Sequence, residues 1–196
     1  MLLSSRSRPA RLVTRRAGLA DLDAQLDIVV GSTGSYVEFA PDGWQPFDFR
    51  ARRDSEAEVL ADPGTRALLG LVDAAPVGLV SFTPARDPRP KDPYGPWQRR
   101  PVIPELAHLR QLFVLPDWWG RGVAPLLHDA AISEMLRRGY PSARLYTPAG
   151  QARARRFYER RGWKTVGEVW NDDLGLPLAE YRLALKGYAP GNQPGR

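Results

Sequence analysis

Apolar residues fall into two spacings along the chain, and the two trade places at clear stops. The run 109–114 is short, apolar-rich and closed by Pro116, which has no N–H for a ladder, so it predicts a buried strand. From Val123 the apolar groups recur at Leu126, Leu127, Ala130, Ala131, Met135 and Leu136, a helical spacing that runs to a stop at Gly139. Upstream, 11–17 predicts a first strand. Leu19, Leu22, Leu26 and Val29 predict a helix over 19–30, and 54–60 a second helix with Asp54 or Ser55 near its cap. The apolar stretches 66–72 and 77–82 predict two buried strands joined by a tight turn at 73–76. Downstream come a strand over 143–146, a basic helix after Gln151, and strands over 165–170 and 179–185.

Between the strand at 109–114 and the helix from Val123 lie Gly120 and Gly122, flanking Arg121. Glycines there let backbone approach a ligand, and the first turn of a helix presents unpaired N–H groups with partial positive charge. The stretch suits an anion, most naturally phosphate, although a plain strand-to-helix turn would carry the same residues. It is neither a Walker A loop, since no Gly-Lys-Ser/Thr follows, nor a Gly-x-Gly-x-x-Gly fingerprint, since Pro125 stands where the last glycine is sought.

A second stretch, Gln151-Ala152-Arg153-Ala154-Arg155-Arg156-Phe157-Tyr158-Glu159-Arg160-Arg161-Gly162-Trp163, adds specificity. Together with Trp119-Gly120-Arg121-Gly122-Val123-Ala124 it closely resembles the GCN5-related N-acetyltransferases (the GNAT superfamily). That family's acetyl-CoA loop reads Gln/Arg-x-x-Gly-x-Gly/Ala, and its next helix reads Asn-x-x-Ala-x-x-Phe-Tyr-Glu-x-x-Gly-Phe. Here Gln151 replaces the asparagine and Trp163 the final phenylalanine, and Trp119 stands where the family usually has Gln or Arg. The close match spans 107–168, and the element order extends it to 11–186.

The resemblance implies an α/β (α+β) fold of GNAT type. Its central sheet would be mixed, mostly antiparallel and six- to seven-stranded, with about four helices on its two faces, splayed at the acetyl-CoA site. The domain would occupy 10–187, between a disordered basic tail at 1–9 and a disordered tail at 188–196. It implies acetyl-CoA (coenzyme A) as co-substrate, with pantetheine amides pairing with backbone near Phe113 and Val114, as an added strand would. The pyrophosphate would rest on amides from Gly120 to Ala124, that is Gly120, Arg121, Gly122, Val123 and Ala124, beside Trp119, with Gln151, Arg156 and Tyr158 also contacting the cofactor. Pro125 removes one donor from that turn but is sterically welcome there.

For catalysis, Tyr158 occupies the position where many relatives use a tyrosine as general acid toward the CoA thiolate; packing of the helix on the sheet is the alternative. His108 stands where many relatives carry a glutamate acting as base through water. Histidine titrates near neutrality, but a hydrogen-bonded histidine at a strand end reads as well. Glu105 is the substitute base, and His128, within the long helix, reads as structural. The reaction implied is direct attack of a neutral amine on the thioester, the oxyanion being met by a backbone N–H near Val114.

The segment 83–104 holds seven prolines with Tyr94 and Trp97, too polar and proline-rich for a core element, and reads as a wall over the acceptor site. Tyr36, Phe39, Trp44, Tyr94 and Trp97 are therefore the expected substrate-binding aromatics, suited to a small-molecule amine; ordinary core filling is the alternative for each. Asp42, Asp48, Asp87 and Asp92 are available for a polyamine, but nothing in the sequence shows that they converge. A protein or peptide N-acetyltransferase, or a catalytically weak acyl-CoA-binding protein, are the other readings. The second draws on Trp119, Pro125 and the absent helix asparagine.

Charge and composition narrow the partners. Of the net +6, residues 1–16 carry +5 and 151–161 carry +4, leaving the rest at −3, so the chain has a basic end and a basic helix rather than a nucleic-acid-binding face. With no cysteine and only two histidines, neither a thiolate nucleophile nor a metal site is expected. No Gly-x-Ser-x-Gly elbow supports a serine route. No apolar run approaches the ~20 residues of a membrane span, and no signal-peptide core opens the chain, so a cytoplasmic location is expected. Relatives are often dimers, so a homodimer is compatible with the chain, though no interface is readable.

Overall fold

A computed structural model of the protein describes residues 11–87 and 100–188. The tails assigned to 1–9 and 188–196, apart from Tyr188, and the middle of the proline-rich wall lie outside the described residues. In chain order the elements are β1 (Leu12–Ala17), α1 (Leu22–Thr33), α2 (Arg53–Ala61), β2 (Arg66–Val72), β3 (Ala75–Arg86), β4 (Val102–Val114), α3 (Val123–Arg137), β5 (Ser142–Pro148), α4 (Ala152–Arg160), β6 (Lys164–Asn171) and β7 (Leu176–Ala184). The strands form one sheet in the order β1-β2-β3-β4-β5-β7-β6, in which β4 and β5 are parallel and every other neighbouring pair is antiparallel. This is the mixed, mostly antiparallel sheet that the resemblance implied.

Alternation along β2 and β3 sends side chains to opposite faces, each covered by its own helix. Ala67, Leu69 and Leu79 pack with Ile28 and Val29 of α1. Val72, Val80 and Phe82 pack on the other face with Leu127, Ile132 and Met135 of α3. Those three α3 side chains are fully buried, each contributing about 1.5–3 kcal/mol by removal from water. The α3 seat requires a small residue beneath it: a Cβ on Gly78 would stand 3.0 Å from Val123 Cγ1, from Leu127 Cδ1 and from the Phe113 carbonyl oxygen. Helix α4 joins the α3 face, its Phe157 ring meeting His128 edge-on at 5.7 Å.

The proline-rich segment corrects one expectation. The sequence places 83–86 and 102–104 in a proline-rich wall rather than a core element, but β3 and β4 extend into them, with Pro84 opposite Ala107 and Arg86 opposite Val102. The prolines are tolerated because the register shifts between Pro84 and Arg86, so ladder bonds are interrupted where N–H groups are missing. Glu105 lies in this irregular stretch with φ 62°, exposed at the surface.

Candidate active site

The parallel pair β4–β5 is joined only from Leu106↔Ser142 to Leu109↔Leu145. Beyond that point β4 pairs with β3 alone and β5 with β7 alone, so a gap opens between them. The cause lies in β4. Ser81 stands opposite Gln111 and Phe82 opposite Leu109, which leaves Arg110 as an extra, bulged residue at the place where the strands part. A bulge bends and twists its strand, here away from β5. Arg110 is then tied down by Glu56 of α2, its Nη1 at 2.7 Å from Oε2 and its Nη2 on Oε1.

Ladder geometry decides which backbone groups face the gap. The Leu115 N–H donates to the Val77 carbonyl at 2.9 Å, which makes Gly78 and Val114 a non-hydrogen-bonded pair. The N–H and C=O of Leu112 and Val114 therefore point away from β3, and those of Phe113 toward it. Phe113 borders the cavity, but the amides available to an extended ligand belong to Leu112 and Val114 rather than to Phe113. One of these is already used: the Trp119 indole Nε1–H donates to the Val114 carbonyl at 2.7 Å.

Below the gap the chain turns through Gly120 (φ 73°) and Gly122 (φ 83°) into α3, and nothing lies within 4 Å of where a Cβ would stand at either glycine. Both glycines serve a left-handed backbone and leave open space beside the turn. The first intrahelical bond is Leu126 N–H to the Gly122 carbonyl at 3.2 Å. Gly122, Val123 and Ala124 thus keep unpaired N–H groups at the helix's positive end, and Pro125 contributes none. Gly120, Gly122, Val123 and Ala124 border a cavity of about 470 Å³ that runs up through the splay. Arg121 does not border it; its guanidinium lies over the Trp118 ring at 5.2 Å.

From α4, Arg153, Tyr158 and Arg160 border the cavity together with the flanking Gln151 and Arg161, whereas the expected Arg156 does not. Residues 153, 157 and 160 follow one another at helical spacing along the side of α4 that borders the cavity, and Arg161 follows at its C-terminal end. Arg153 stacks over the Trp119 ring at 4.2 Å. Gln151 sits at the start of α4, its Oε1 3.5 Å from Thr147 Oγ1.

Tyr158 both packs and faces the cavity. Its ring meets Trp163 at 5.9 Å and Phe157 at 5.3 Å, and its hydroxyl has no hydrogen-bond partner among the described residues. Burial pushes this phenol well above its ordinary range, and the neighbouring Tyr36 adds to the rise. Tyr36 also borders the cavity, its own hydroxyl raised by burial. Phe39 and Trp44 do not border it; they stand behind Tyr36 at 5.2 and 6.4 Å between ring centroids. Trp44 closes the wall, its Nε1–H donating to the Leu174 carbonyl at 2.7 Å. Arg52 reinforces it with an ion pair to Asp173 at 2.9 Å. Tyr94 and Trp97 lie outside the described residues.

Neither expected base borders the cavity. The His108 Nδ1 lies 3.3 Å from the Arg144 carbonyl and its ring meets Tyr146 at 5.7 Å. Burial, then the Arg144 charge, with smaller contributions from Arg110 and Arg182, pushes its pKa down to about 3 against the pull of that hydrogen bond. Glu105 is exposed at the irregular start of β4. His128 is fully buried between Trp163, whose Nε1–H it accepts at 3.0 Å on Nε2, and Asp129, 2.8 Å from Nδ1. Among the described residues no group of three or more His, Cys, Asp or Glu side chains is placed to hold a metal ion. The cavity also takes in Ser32, Arg110, Gln111 and Tyr146, which no motif marked.

The sheet is thus splayed at its parallel pair, over a glycine turn that opens a helix. The profile of the acetyltransferase (GNAT) family matches residues 33–163, and the chain belongs to that family, whose members use acetyl-CoA. It is a GNAT-family N-acetyltransferase. The fold is similar to that of PaiA N-acetyltransferase from Thermoplasma acidophilum in complex with coenzyme A, at TM-score 0.62 and 15% identity over 88% of this chain and 99% of that one. It is similar to a spermidine N-acetyltransferase chimera from Vibrio cholerae, at TM-score 0.62 and 16% identity over 90% and 97% of the two chains. An Escherichia coli N-acetyltransferase of a ribosomal protein's alanine matches at TM-score 0.61 and 16% identity over 89% and 94%. No curated protein matches the chain in sequence.

Proposed function

We propose that the protein moves an acetyl group from acetyl-CoA to the primary amine of a small molecule by direct attack of the neutral amine. The observation that carries this reading is the continuity of the cavity, from the unpaired amides at Gly122–Ala124 through the splay to Tyr36 and Tyr158. When bound, acetyl-CoA supplies an activated thioester. The open space beside Gly120 and Gly122 fits a diphosphate against main-chain amides, and Arg153, Arg160 and Arg161 supply positive charge for its phosphates. The Leu112 amide groups and the Val114 N–H offer an edge for an extended, amide-bearing arm.

Tyr158 is the proton donor to the leaving thiolate. A buried phenol with a raised pKa stays protonated at neutral pH, and it is free to donate where charge develops. Water takes the proton of the attacking nitrogen, since His108 and Glu105 stand away from the cavity and the lowered pKa of His108 makes its ring a weak proton acceptor. The ties of Trp44 to Leu174 and of Arg52 to Asp173 favour a small acceptor over a peptide, because they wall the side on which Tyr36 stands.

The test is thiol release from acetyl-CoA across a library of primary amines, with longer acyl donors run beside it. Acceptor-dependent release supports the reading. Release at the same slow hydrolytic rate with every amine, despite tight CoA binding, would return the chain to an acyl-CoA-binding role.

A further inference from the structure

Among the described residues, the acceptor end of the cavity is rich in hydrogen-bond donors and presents no carboxylate. Among the described residues no Asp or Glu borders the cavity. Of the acids on neighbouring elements, Glu56 holds Arg110, Glu180 holds Arg182 at 2.7 Å, and Asp129 lies 3.9 Å from Arg161. A second ammonium on the acceptor would therefore meet no carboxylate among the described lining residues. The Ser81 hydroxyl donates to Gln111 Oε1 at 2.7 Å, which fixes the carboxamide and leaves its NH₂ as the group still to be used. Ser32, on the α1 turn facing this end, is only 5% exposed, and its hydroxyl has no hydrogen-bond partner. Its neighbour Thr33 satisfies itself on the Val29 carbonyl at 2.9 Å, so the vacancy at Ser32 is not forced by the helix. A buried hydroxyl without a partner costs stability unless a ligand completes it.

Resting on the acetyltransferase reading above, we propose that the acceptor is a small molecule with one amine and one carboxylate. The carboxylate is received by the Gln111 carboxamide N–H groups and the Ser32 hydroxyl beside the Arg110–Glu56 pair. The same described lining disfavours polyamines, because it offers donors where a polycation needs acceptors.

The experiment uses the full chain and matched acceptors that differ by the carboxylate: phenylalanine against phenethylamine, and 4-aminobenzoate against aniline, with spermidine as the polycation. In thiol-release assays the carboxylate member of at least one pair should have kcat/KM about tenfold or more above its partner, the scale of a hydrogen bond to a charged group, and spermidine should be the poorest acceptor. Ser32→Ala and Gln111→Leu should each bring the ratio within the pair toward one while leaving the acetyl-CoA Kd unchanged. Ser32→Ala removes one hydroxyl and keeps the test alive if Gln111→Leu, which strands Ser81, fails to fold. Preference for the decarboxylated partner or for spermidine would overturn the proposal, and so would a ratio that neither variant changes. Saturable acetyl-CoA binding without acetylation of any carboxylate-bearing amine overturns it while sparing the donor site; failure to bind acetyl-CoA at all removes the acetyltransferase reading beneath it.

Discussion

Trp119 reaches back to the end of β4, its indole N–H on the Val114 carbonyl at 2.7 Å, and carries the Arg153 guanidinium on its ring at 4.2 Å. A position where relatives usually have a polar side chain thus does two jobs: it fixes the last carbonyl of the splayed edge, and it holds a cation beside the helix's first turn. Truncating it should weaken acetyl-CoA binding by about tenfold, combining a lost hydrogen bond with a lost cation–π contact. Trp119→Phe should fall between Trp119→Ala and the parent, because it keeps the ring but not the donor. Calorimetric Kd values for the three proteins check the order.

Removing the Tyr158 hydroxyl separates its two roles. Tyr158→Phe keeps the contacts with Phe157 and Trp163 and should leave acetyl-CoA affinity unchanged while lowering kcat by roughly 100-fold, the low end for a positioned acid. Full turnover in this variant would assign the residue to packing alone.

A methyl group on Gly78 would press on Val123 and Leu127, both at 3.0 Å, and push the first turn of α3 off the sheet. Gly78→Ala should cost about 1–3 kcal/mol of stability, the range for overpacking, and should weaken acetyl-CoA binding as well. A chemical-denaturation curve and a binding isotherm on the same sample check both effects; unchanged values in both would show that the seat has slack.

His108 is held neutral by burial and by the charge of Arg144, and His128 by burial. Both pKa values lie below the ordinary 6.5, so the unfolded chain binds protons that the folded one refuses. Their contribution to stability is complete above pH 6.5 and is lost as pH falls from there toward about 3, where His108 titrates in the fold. Urea midpoints should therefore decline between pH 7 and pH 5. With both histidines held neutral, the rising limb of kcat/KM against pH should follow the acceptor amine, and His108→Ala should leave that limb where it is. A limb that shifts in His108→Ala would restore the histidine to the mechanism.

Local sequence carried much of this site. Gly120 and Gly122 between a proline-stopped strand and an apolar helix announce an amide-lined turn, and Phe157-Tyr158 follow in the helix that faces it. The splay was named through the family resemblance, but its cause was not legible. It depends on Arg110 being the residue left over between the Ser81–Gln111 and Phe82–Leu109 pairs, and on Glu56, 54 residues away, receiving it. Ser32 and Gln111 were invisible because their significance is a missing partner and a fixed orientation, neither of which leaves a pattern in the chain. Motif position points to Arg156, whereas the arginines that border the cavity are Arg153, Arg160 and Arg161, a difference that depends on how the helix sits against the turn rather than on any pattern in the chain. Prolines 84 and 104 pointed away from strands because a proline's effect depends on whether its missing N–H falls in a ladder or at an irregularity.

Titration of acetyl-CoA into the full chain by calorimetry tests the donor site directly. The amides of Gly122–Ala124, the open edge of β4 and the guanidinium groups of Arg153, Arg160 and Arg161 together predict saturable one-to-one binding, lost when Gly122→Val fills the space beside the turn. Absence of saturable heat with both acetyl-CoA and CoA, in protein shown to be folded, would contradict the account at its root.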